Sequence, residues 1–226
     1  MRQTVGRMAL WMIVGMMVVG LMGCKEALES GSADKKVVLW NGQDFTGWQR
    51  VLADPEVDVD DVWWVRGDAI HCKGQPFGYL RTQNRYSDYH LHVEWRWPET
   101  PSNSGVLLHI NGPDKIWPEC IEFQLKACDA GDFVLMNGTG LTVDGTDRRD
   151  AAKRFVVIPK KAATSEKPAG QWNSYDIHCK GGSIRVYVNG VLQNEGTNAS
   201  PMAGYIGLQS EGSPIEFRNI YILPLD

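Results

Sequence analysis

The chain has 226 residues and carries 23 basic against 27 acidic side chains, which gives a net charge of −4. This acidic balance argues against nucleic-acid binding, which depends on a cationic surface. The length suffices for one domain with a full core and is too short for two comfortable ones.

The first 23 residues have the features of an export signal. Arg2 and Arg7 give a basic start, an apolar run follows over residues 8–22, and the sequence Leu-Met-Gly before Cys24 has the form of a lipobox. This run of 15 residues is shorter than the ~20 that a membrane-spanning helix needs. We therefore predict cleavage before Cys24, acylation of its thiol, and a lipid anchor that holds the protein to a membrane of the bacterial cell envelope, facing the periplasm or on the cell surface.

Removal of the signal takes away two basic residues and no acidic ones, so the mature chain has a net charge of −6. Residues 25–36 are small, polar and charged, as is typical of a flexible tether. The predicted organisation is thus a signal peptide over 1–23, the lipidated cysteine and tether over 24–36, and a single domain over 37–226.

From residue 37 onward the sequence consists almost entirely of short strand patterns separated by turn residues. The predicted strands are 37–40, 62–65, 69–72, 79–82, 89–97, 105–110, 120–127, 155–158, 173–179, 183–188, 204–209 and 215–223. Asn-Gly pairs at 137–138 and 189–190 indicate tight turns. The sequence therefore predicts an all-β antiparallel sandwich of jelly-roll form.

Residues 129–167 have the weakest strand pattern in the domain. Their charged and glycine-containing sequence predicts a long loop, which could form a wall of a binding site or be a solvated insertion. The four cysteines of the domain leave a second question open, because three disulfide connectivities and four free thiols are all compatible with the sequence: Cys72, Cys120, Cys128 and Cys179. Their spacing does not resemble that of a zinc site.

Polar side chains with sugar-binding chemistry concentrate between residues 103 and 133. Glu122 and Gln124 share one face of a predicted strand, His109 ends the preceding strand, and Trp117 lies in the loop between them. Sugar hydroxyls need polar partners, and the C–H faces of pyranose rings pack on aromatic plates. An ordinary solvated outer face would explain the same alternation.

The predicted strand 89–97 has a similar polar face, formed by His92, Glu94 and Arg96. If this strand and the strand of Glu122 belong to one sheet, they would form one concave polar surface. Pairing of Glu94 and Arg96 with neighbouring strands is the simpler alternative.

Several ordered motifs across the domain resemble the 3-keto-disaccharide hydrolase domain family, many members of which are bacterial lipoproteins. The motifs are LWNGQDFTGW at 39–48, YHLHVEWR at 89–96, NSGV at 103–106, WPECIEFQ at 117–124, GQWNSY at 170–175, VNG at 188–190 and GYIGLQ at 204–209. The resemblance implies a concanavalin-A-like β-sandwich and carbohydrate chemistry.

The resemblance also implies a reaction in which a ketone at C3 acidifies the C2 proton and the glycosidic oxygen leaves from C1. Such a site needs a base, an acid and a stabiliser of the enolate oxygen. Glu122 and His109 are the candidates for base and acid, in either assignment. The candidates for substrate binding are Glu94, Arg96, Trp117, Gln124 and Gln209, and a divalent metal could replace Arg96 as the stabiliser.

Two alternatives remain at this point. The same sandwich could bind carbohydrate without turning it over. It could also hydrolyse ordinary glycosides with a pair of carboxylates that flank the bond, for which Glu94 and Glu122 are the candidates.

Overall fold

The computed structural model describes residue 1 and residues 36–226. The predicted signal peptide beyond Met1, the lipidation site Cys24 and the predicted tether up to residue 35 lie outside the described residues. The lipid anchor and the cellular location therefore stay predictions. Among the described residues, no helix combines the length and the hydropathy required to cross a membrane.

Two antiparallel sheets form the domain, and the larger has ten strands. In spatial order they are β11 (Thr146–Asp147), β10 (Gly140–Val143), β15 (Val191–Ser200), β14 (Ser183–Val188), β13 (Asn173–Lys180), β6 (Tyr89–Arg96), β17 (Ile215–Pro224), β4 (Ala69–Cys72) and β3 (Trp63–Arg66), with β1 (Val37–Val38) paired to β17. A single 3-10 turn, Val59–Asp61, precedes β3.

The smaller sheet has seven strands. In spatial order they are β12 (Phe155–Ile158), β9 (Phe133–Met136), β8 (Glu119–Gln124), β7 (Gly105–Asn111), β16 (Tyr205–Ser210), β5 (Gly78–Thr82) and β2 (Trp48–Leu52). This sheet carries the candidate site on its outer face.

The core lies between the two sheets and is built by the alternation of each strand. On β6 the side chains of Tyr89, Leu91, Val93 and Trp95 are fully buried and point inward. On β8, Ile121 and Phe123 enter the same core from the opposite sheet. Alternation then turns the intervening polar residues of each strand to the outer face of its own sheet. The predicted all-β sandwich is confirmed.

The strand predictions were wrong in two regions. Residues 129–167 contain β9, β10 and β11 in addition to the predicted strand 155–158, so this segment is a series of short strands and connecting turns rather than one long loop. Strands β2 and β15 were not predicted. In β15, Gln193 and Asn194 are buried, and their hydrogen bonds to neighbouring loops replace the apolar alternation expected of a strand.

The four cysteines of the described domain are free thiols. Three are buried: Cys72, Cys120 and Cys179. Of the alternatives that the sequence left open, the structure has the unbridged one.

Candidate active site

The outer face of the seven-stranded sheet brings together residues from β5, β16, β7 and β8. Leu107 on β7 pairs with Glu122 on one side and with Gly207 on the other, while Gly105 pairs with Gln124. Continued by two residues, this register sets Gln209 of β16 beside Gly105. Gly105 has no side chain, and we call the space that this leaves on the sheet the gap at Gly105. Glu122, Gln209 and this gap therefore share one face.

Glu122 is the most perturbed polar group on this face. Its side chain is 4% exposed, and its carboxyl group has no hydrogen-bond partner among the described residues. Burial, together with the nearby charge of Glu211, raises the pKa of Glu122 to about 8. The group is therefore largely a neutral carboxylic acid at pH 7, able to donate a proton and, once deprotonated, to accept one.

Gly105 makes the space that the Glu122 carboxyl group occupies. A Cβ atom at position 105 would lie 2.3 Å from Oε1 and 2.8 Å from Cγ of Glu122. No side chain larger than hydrogen fits there without moving the carboxyl group. The glycine of the Asn-Ser-Gly-Val motif on β7 therefore leaves room for the carboxyl group of Glu122 on β8.

Two further polar groups at this end of the sheet have unsatisfied buried atoms. Gln209 is 3% exposed, and its Oε1 has no partner. Oδ1 of Asn103, two residues before Gly105, is also buried without a partner. A buried carbonyl without a hydrogen bond costs roughly 1–3 kcal/mol, so such atoms are expected where a ligand supplies the missing donor. Sugar hydroxyls are donors of this kind.

Glu211 is a site residue that the sequence analysis missed. It follows β16 directly, is half-buried, and its carboxyl group is close enough to Glu122 for the two charges to repel each other. Burial raises the pKa of Glu211, and a hydrogen bond from Asn103 opposes that rise. One signal could have revealed the residue, because Glu211 stands two positions beyond Gln209, and extension of the alternation puts both on one face.

The loop between β7 and β8 folds back across the sheet and forms a roof, which we define as residues 112–118. Asp114 accepts hydrogen bonds from Arg81 Nε (2.7 Å) and Nη2 (2.8 Å) and from the Tyr79 hydroxyl (3.1 Å). Both partners lie on β5, which is separated from β7 by β16. The roof is therefore fastened to the far side of the site by a bidentate ion pair.

An aromatic row continues this roof. The ring of Trp117 lies 5.6 Å from that of Phe77, next to β5, and 5.5 Å from that of Phe155, on β12. Phe77 and Phe155 are therefore no more than about 11 Å apart, although four strands lie between β5 and β12. At ~4.8 Å per strand a flat sheet would separate them by roughly 24 Å. The three rings therefore lean toward one another across the outer face of the sheet.

The outer face of the sheet also carries apolar side chains near the roof. A second hydrophobic cluster, separate from the main core, consists of Tyr79, Leu107, Ile110, Cys120, Val134 and Met136. A cavity of about 520 Å³ opens beside the roof between Lys115, Trp117, Glu119, Asn137 and Arg154. The role of Trp117 in stacking on a sugar ring stays a prediction.

His109 does not share the face of Glu122, contrary to our expectation. A β-bulge after Leu108 shifts the register of β7, and His109 has a positive φ of 55°. Its ring consequently turns toward the sandwich interior, where Nδ1 lies 2.9 Å from the Pro201 carbonyl oxygen and the ring edge meets Tyr89. Burial lowers the pKa of His109 to about 4. The expected Glu122–His109 pair is therefore not formed.

Glu94 and Arg96 lie on the other side of the molecule. They project from the outer face of β6 in the ten-stranded sheet, so the condition for one concave polar surface is not met, and the alternative of pairing with neighbouring strands is the one observed. Glu94 accepts hydrogen bonds from Arg218 (2.6 Å) and Asn219 (3.1 Å), and Arg96 pairs with Glu216. Glu94 and Glu122 cannot flank one glycosidic bond.

The remaining predictions concern Gln124 and a metal. The Oε1 atom of Gln124 accepts hydrogen bonds from the backbone N–H groups of Leu125 and Lys126, so it caps the end of its own strand. Within residues 36–226, no group of three or more His, Cys, Asp and Glu side chains is arranged to hold a metal ion. The divalent metal stays a prediction.

Comparisons with known proteins agree with this fold. A family model described as a 3-keto-alpha-glucoside-1,2-lyase-like domain matches residues 35–223. A search of curated proteins gave no significant match.

Three solved structures illustrate the likeness in fold. A protein from Parabacteroides distasonis, provisionally described as a glycosyl hydrolase, is 22% identical with a TM-score of 0.63, over 86% of this chain and 96% of that one. Carbohydrate-binding module CBM66 from Bacillus subtilis is 12% identical with a TM-score of 0.56, over 80% and 95%. The Bacillus licheniformis β-glucanase is 13% identical with a TM-score of 0.54, over 84% and 97%.

Proposed function

The chain belongs to the 3-keto-alpha-glucoside-1,2-lyase-like domain family, and on that premise we propose that it is a carbohydrate-active enzyme that cleaves 3-keto-glycosides by elimination. The observation that carries the proposal is Glu122, a buried carboxyl group with no hydrogen-bond partner among the described residues and a pKa of about 8. A group of this kind is suited to proton transfer near neutral pH.

The chemistry follows from the ketone at C3 of the substrate. A base removes the C2 proton, and the electron pair delocalises into the C3 carbonyl as an enolate. The pair then forms the C1–C2 double bond while the C1–oxygen bond breaks, and an acid gives a proton to the departing oxygen. The products are an unsaturated keto-sugar and a free alcohol or sugar, with no external oxidant or reductant.

The site offers groups for the parts of this reaction other than proton transfer. The unsatisfied carbonyl atoms of Gln209 and Asn103 can accept hydrogen bonds from sugar hydroxyls. Glu122 is almost fully shielded from solvent, which strengthens the electrostatic interactions of its carboxyl group. Trp117 and Phe77 offer aromatic faces at the edge of the site for the apolar side of a pyranose ring.

A non-catalytic carbohydrate-binding role is the second candidate, because the fold is shared with a carbohydrate-binding module. A binding site, however, has no need for a carboxyl group that remains protonated at neutral pH. Ionised carboxylates are the stronger acceptors for hydroxyl groups. This difference favours catalysis.

The test incubates the chain from Lys25 onward, which retains both sheets, with 3-keto-trehalose, 3-keto-sucrose and their unoxidised parents, and follows the products by NMR. We expect cleavage of the keto forms alone and a loss of about 10²–10⁴-fold in rate for Glu122→Gln. A parallel incubation with EDTA tests the predicted metal. Cleavage of the parent sugars would indicate an ordinary glycosidase, and sugar binding without turnover would indicate a binding module.

A further inference from the structure

We propose that Glu211 is the second catalytic group of this site and removes the C2 proton, while Glu122 protonates the departing oxygen. This inference rests on the proposed function and assigns its two proton-transfer roles. Neither residue needs His109, whose ring faces the sandwich interior.

The position of Glu211 is fixed by close backbone packing on both sides of the turn that carries it. A Cβ atom at Gly212, which has a φ of +86°, would lie 2.4 Å from Ser102 Oγ and 3.0 Å from the Asn103 nitrogen. A Cβ atom at Gly74 would lie 2.6 Å from the carbonyl oxygen of Gly212. The turn is therefore held between two other segments, as required of a group that acts at a defined distance from substrate.

Glu211 also belongs to the group of side chains around the gap at Gly105. The pairing of β16 with β7 sets Gln209 beside Gly105 and, two residues further, Glu211 beside Asn103. Glu122 borders the same gap from β8, with Oε1 next to the Gly105 backbone. Two carboxyl groups and two unsatisfied amide carbonyls thus converge on one place, and no described basic side chain pairs with either carboxyl group.

The surroundings of the two carboxyl groups set their roles. Glu122 is almost fully buried, without a hydrogen-bond partner in the described chain, so its neutral form is favoured and it has a proton to give. Glu211 is only half-buried and so is less completely shielded from solvent than Glu122; burial raises its pKa, and the neighbouring Asn103 side chain opposes that rise. The ionised Glu211 in turn disfavours ionisation of Glu122. Such a pair, with environments that separate the two protonation states, is suited to combined acid and base catalysis.

The step balances in protons. The Glu211 carboxylate takes the C2 proton as the enolate forms, and Glu122 gives its proton to the glycosidic oxygen as the C1–oxygen bond breaks. After release of both products, a proton moves from Glu211 to Glu122, directly or through water, and the starting state is restored.

The experiment separates the base from the acid. In D₂O, exchange of the C2 proton of 3-keto-glucose needs only the base, whereas cleavage of 3-keto-trehalose needs both groups. We expect Glu211→Gln to lose at least about 100-fold in both reactions. Glu122→Gln should keep most of the exchange and lose cleavage, and its cleavage should recover with a 4-nitrophenyl 3-keto-glucoside, whose leaving group needs no proton. Glu195→Gln, on the ten-stranded sheet, is the matched control and should behave as wild type.

Formate distinguishes loss of a base from loss of the fold. We expect formate to restore part of the exchange activity of Glu211→Ala, because a small carboxylate can occupy the vacated space. Exchange that survives in Glu211→Gln, or a Glu211→Ala variant that folds and is not rescued, would overturn the assignment while the proposed function stands. Absence of both exchange and cleavage in the wild-type protein would overturn the proposed function and the assignment with it.

Discussion

The two outer faces of this sandwich are both polar, yet their polar groups are in opposite states. On the ten-stranded sheet, polar side chains are paired with each other, as in Arg218 with Glu94 and in Asp176 with His90 and His92. On the seven-stranded sheet, Glu122 and the carbonyl of Gln209 have no partner in the described chain. These groups of the first face are paired within the described chain, whereas Glu122 and the carbonyl of Gln209 on the second face are not.

This difference shows what identifies a functional face. The strands β6 and β8 have the same alternation of polar and apolar residues, so the pattern alone gives them equal weight. The two strands differ in whether their polar atoms have hydrogen-bond partners in the folded chain. A satisfied network needs nothing further, whereas an unsatisfied buried group costs stability and is one reason to examine its surroundings for a ligand site.

The largest expected effect is an opposite response of the two faces to neutralisation of a carboxylate. The pKa of Glu122 is about 8 in the folded chain, against 4.5 for an ordinary glutamate, so the folded state holds an extra proton between these values. Because the glutamate ionises in the unfolded chain but stays protonated in the folded one, the stability of the fold decreases as the pH rises through this window. We expect Glu122→Gln to gain stability relative to wild type between pH 5 and pH 9, on the order of 3 kcal/mol.

Glu94→Gln is the comparison for that measurement. Burial raises the pKa of Glu94, but hydrogen bonds from Arg218 and Asn219 lower it by more than burial raises it. The net pKa is therefore below that of an ordinary glutamate. The ionised Glu94 carboxylate therefore stabilises the fold. This stabilisation is fully present at a pH above the pKa of the residue in the unfolded chain, and it is lost as the pH falls through its pKa in the folded chain. The variant should therefore lose about 1 kcal/mol at pH 7 and recover toward wild type in acid. Urea unfolding at a series of pH values measures the stability of both variants. If stability depended on pH in the same way in Glu122→Gln and Glu94→Gln, the proposed difference between the two faces would be wrong.

A smaller effect is expected from the gap at Gly105. Because a Cβ atom there would lie 2.3 Å from Glu122 Oε1, Gly105→Ala should displace the carboxyl group. We expect turnover to fall by about 10- to 100-fold and stability by about 1–3 kcal/mol. Steady-state kinetics and thermal unfolding measure the two effects.

Gly196→Ala supplies the matched control. Gly196 and Leu141 both lie in the ten-stranded sheet, and a Cβ atom at position 196 would lie 2.7 Å from Leu141 Cγ. The variant should lose similar stability and keep its turnover. An equal loss of activity in both variants would mean that crowding in general, rather than displacement of Glu122, lowers the rate.

The smallest effect is expected at the fastening of the roof. Asp114→Asn removes the ion pair with Arg81, and because the Asp114 side chain is 37% exposed, the expected loss of stability is only about 0.5–1 kcal/mol. A looser roof admits water to Glu122, so the pKa of this group should fall, which a ¹³C NMR titration of glutamate carboxyl groups would detect. Asp144→Asn, which breaks a surface pair with Lys161, should leave that titration unchanged.

The sandwich could be predicted from the sequence because it depends on local information. Strands β6 and β8 alternate visibly, and Asn-Gly pairs end strands at positions where φ is positive, as at Asn189 and Gly190. Strands β9 to β11 were missed since their short, glycine-interrupted segments have little alternation of their own. Their partners elsewhere in the sheets stabilise them.

The candidate site could be predicted only in part, because it depends on which strands become neighbours. Alternation placed Glu122 on a polar face correctly, and it also placed His109 there, since a β-bulge leaves no clear trace in the sequence. The assignment of Glu94 failed for another reason. A strand pattern gives the face of a residue but not the sheet to which its strand belongs.

The contact between Asp114 and Arg81 makes access to the site responsive to the surrounding medium. Dissolved ions weaken an attraction between partly exposed charges, while the buried groups beneath are shielded from them. Opening of the roof should therefore become easier as ionic strength rises, and the proton transfers under it should be almost indifferent to salt. Under the proposed function, we therefore expect ionic strength to affect the entry of substrate more than its conversion.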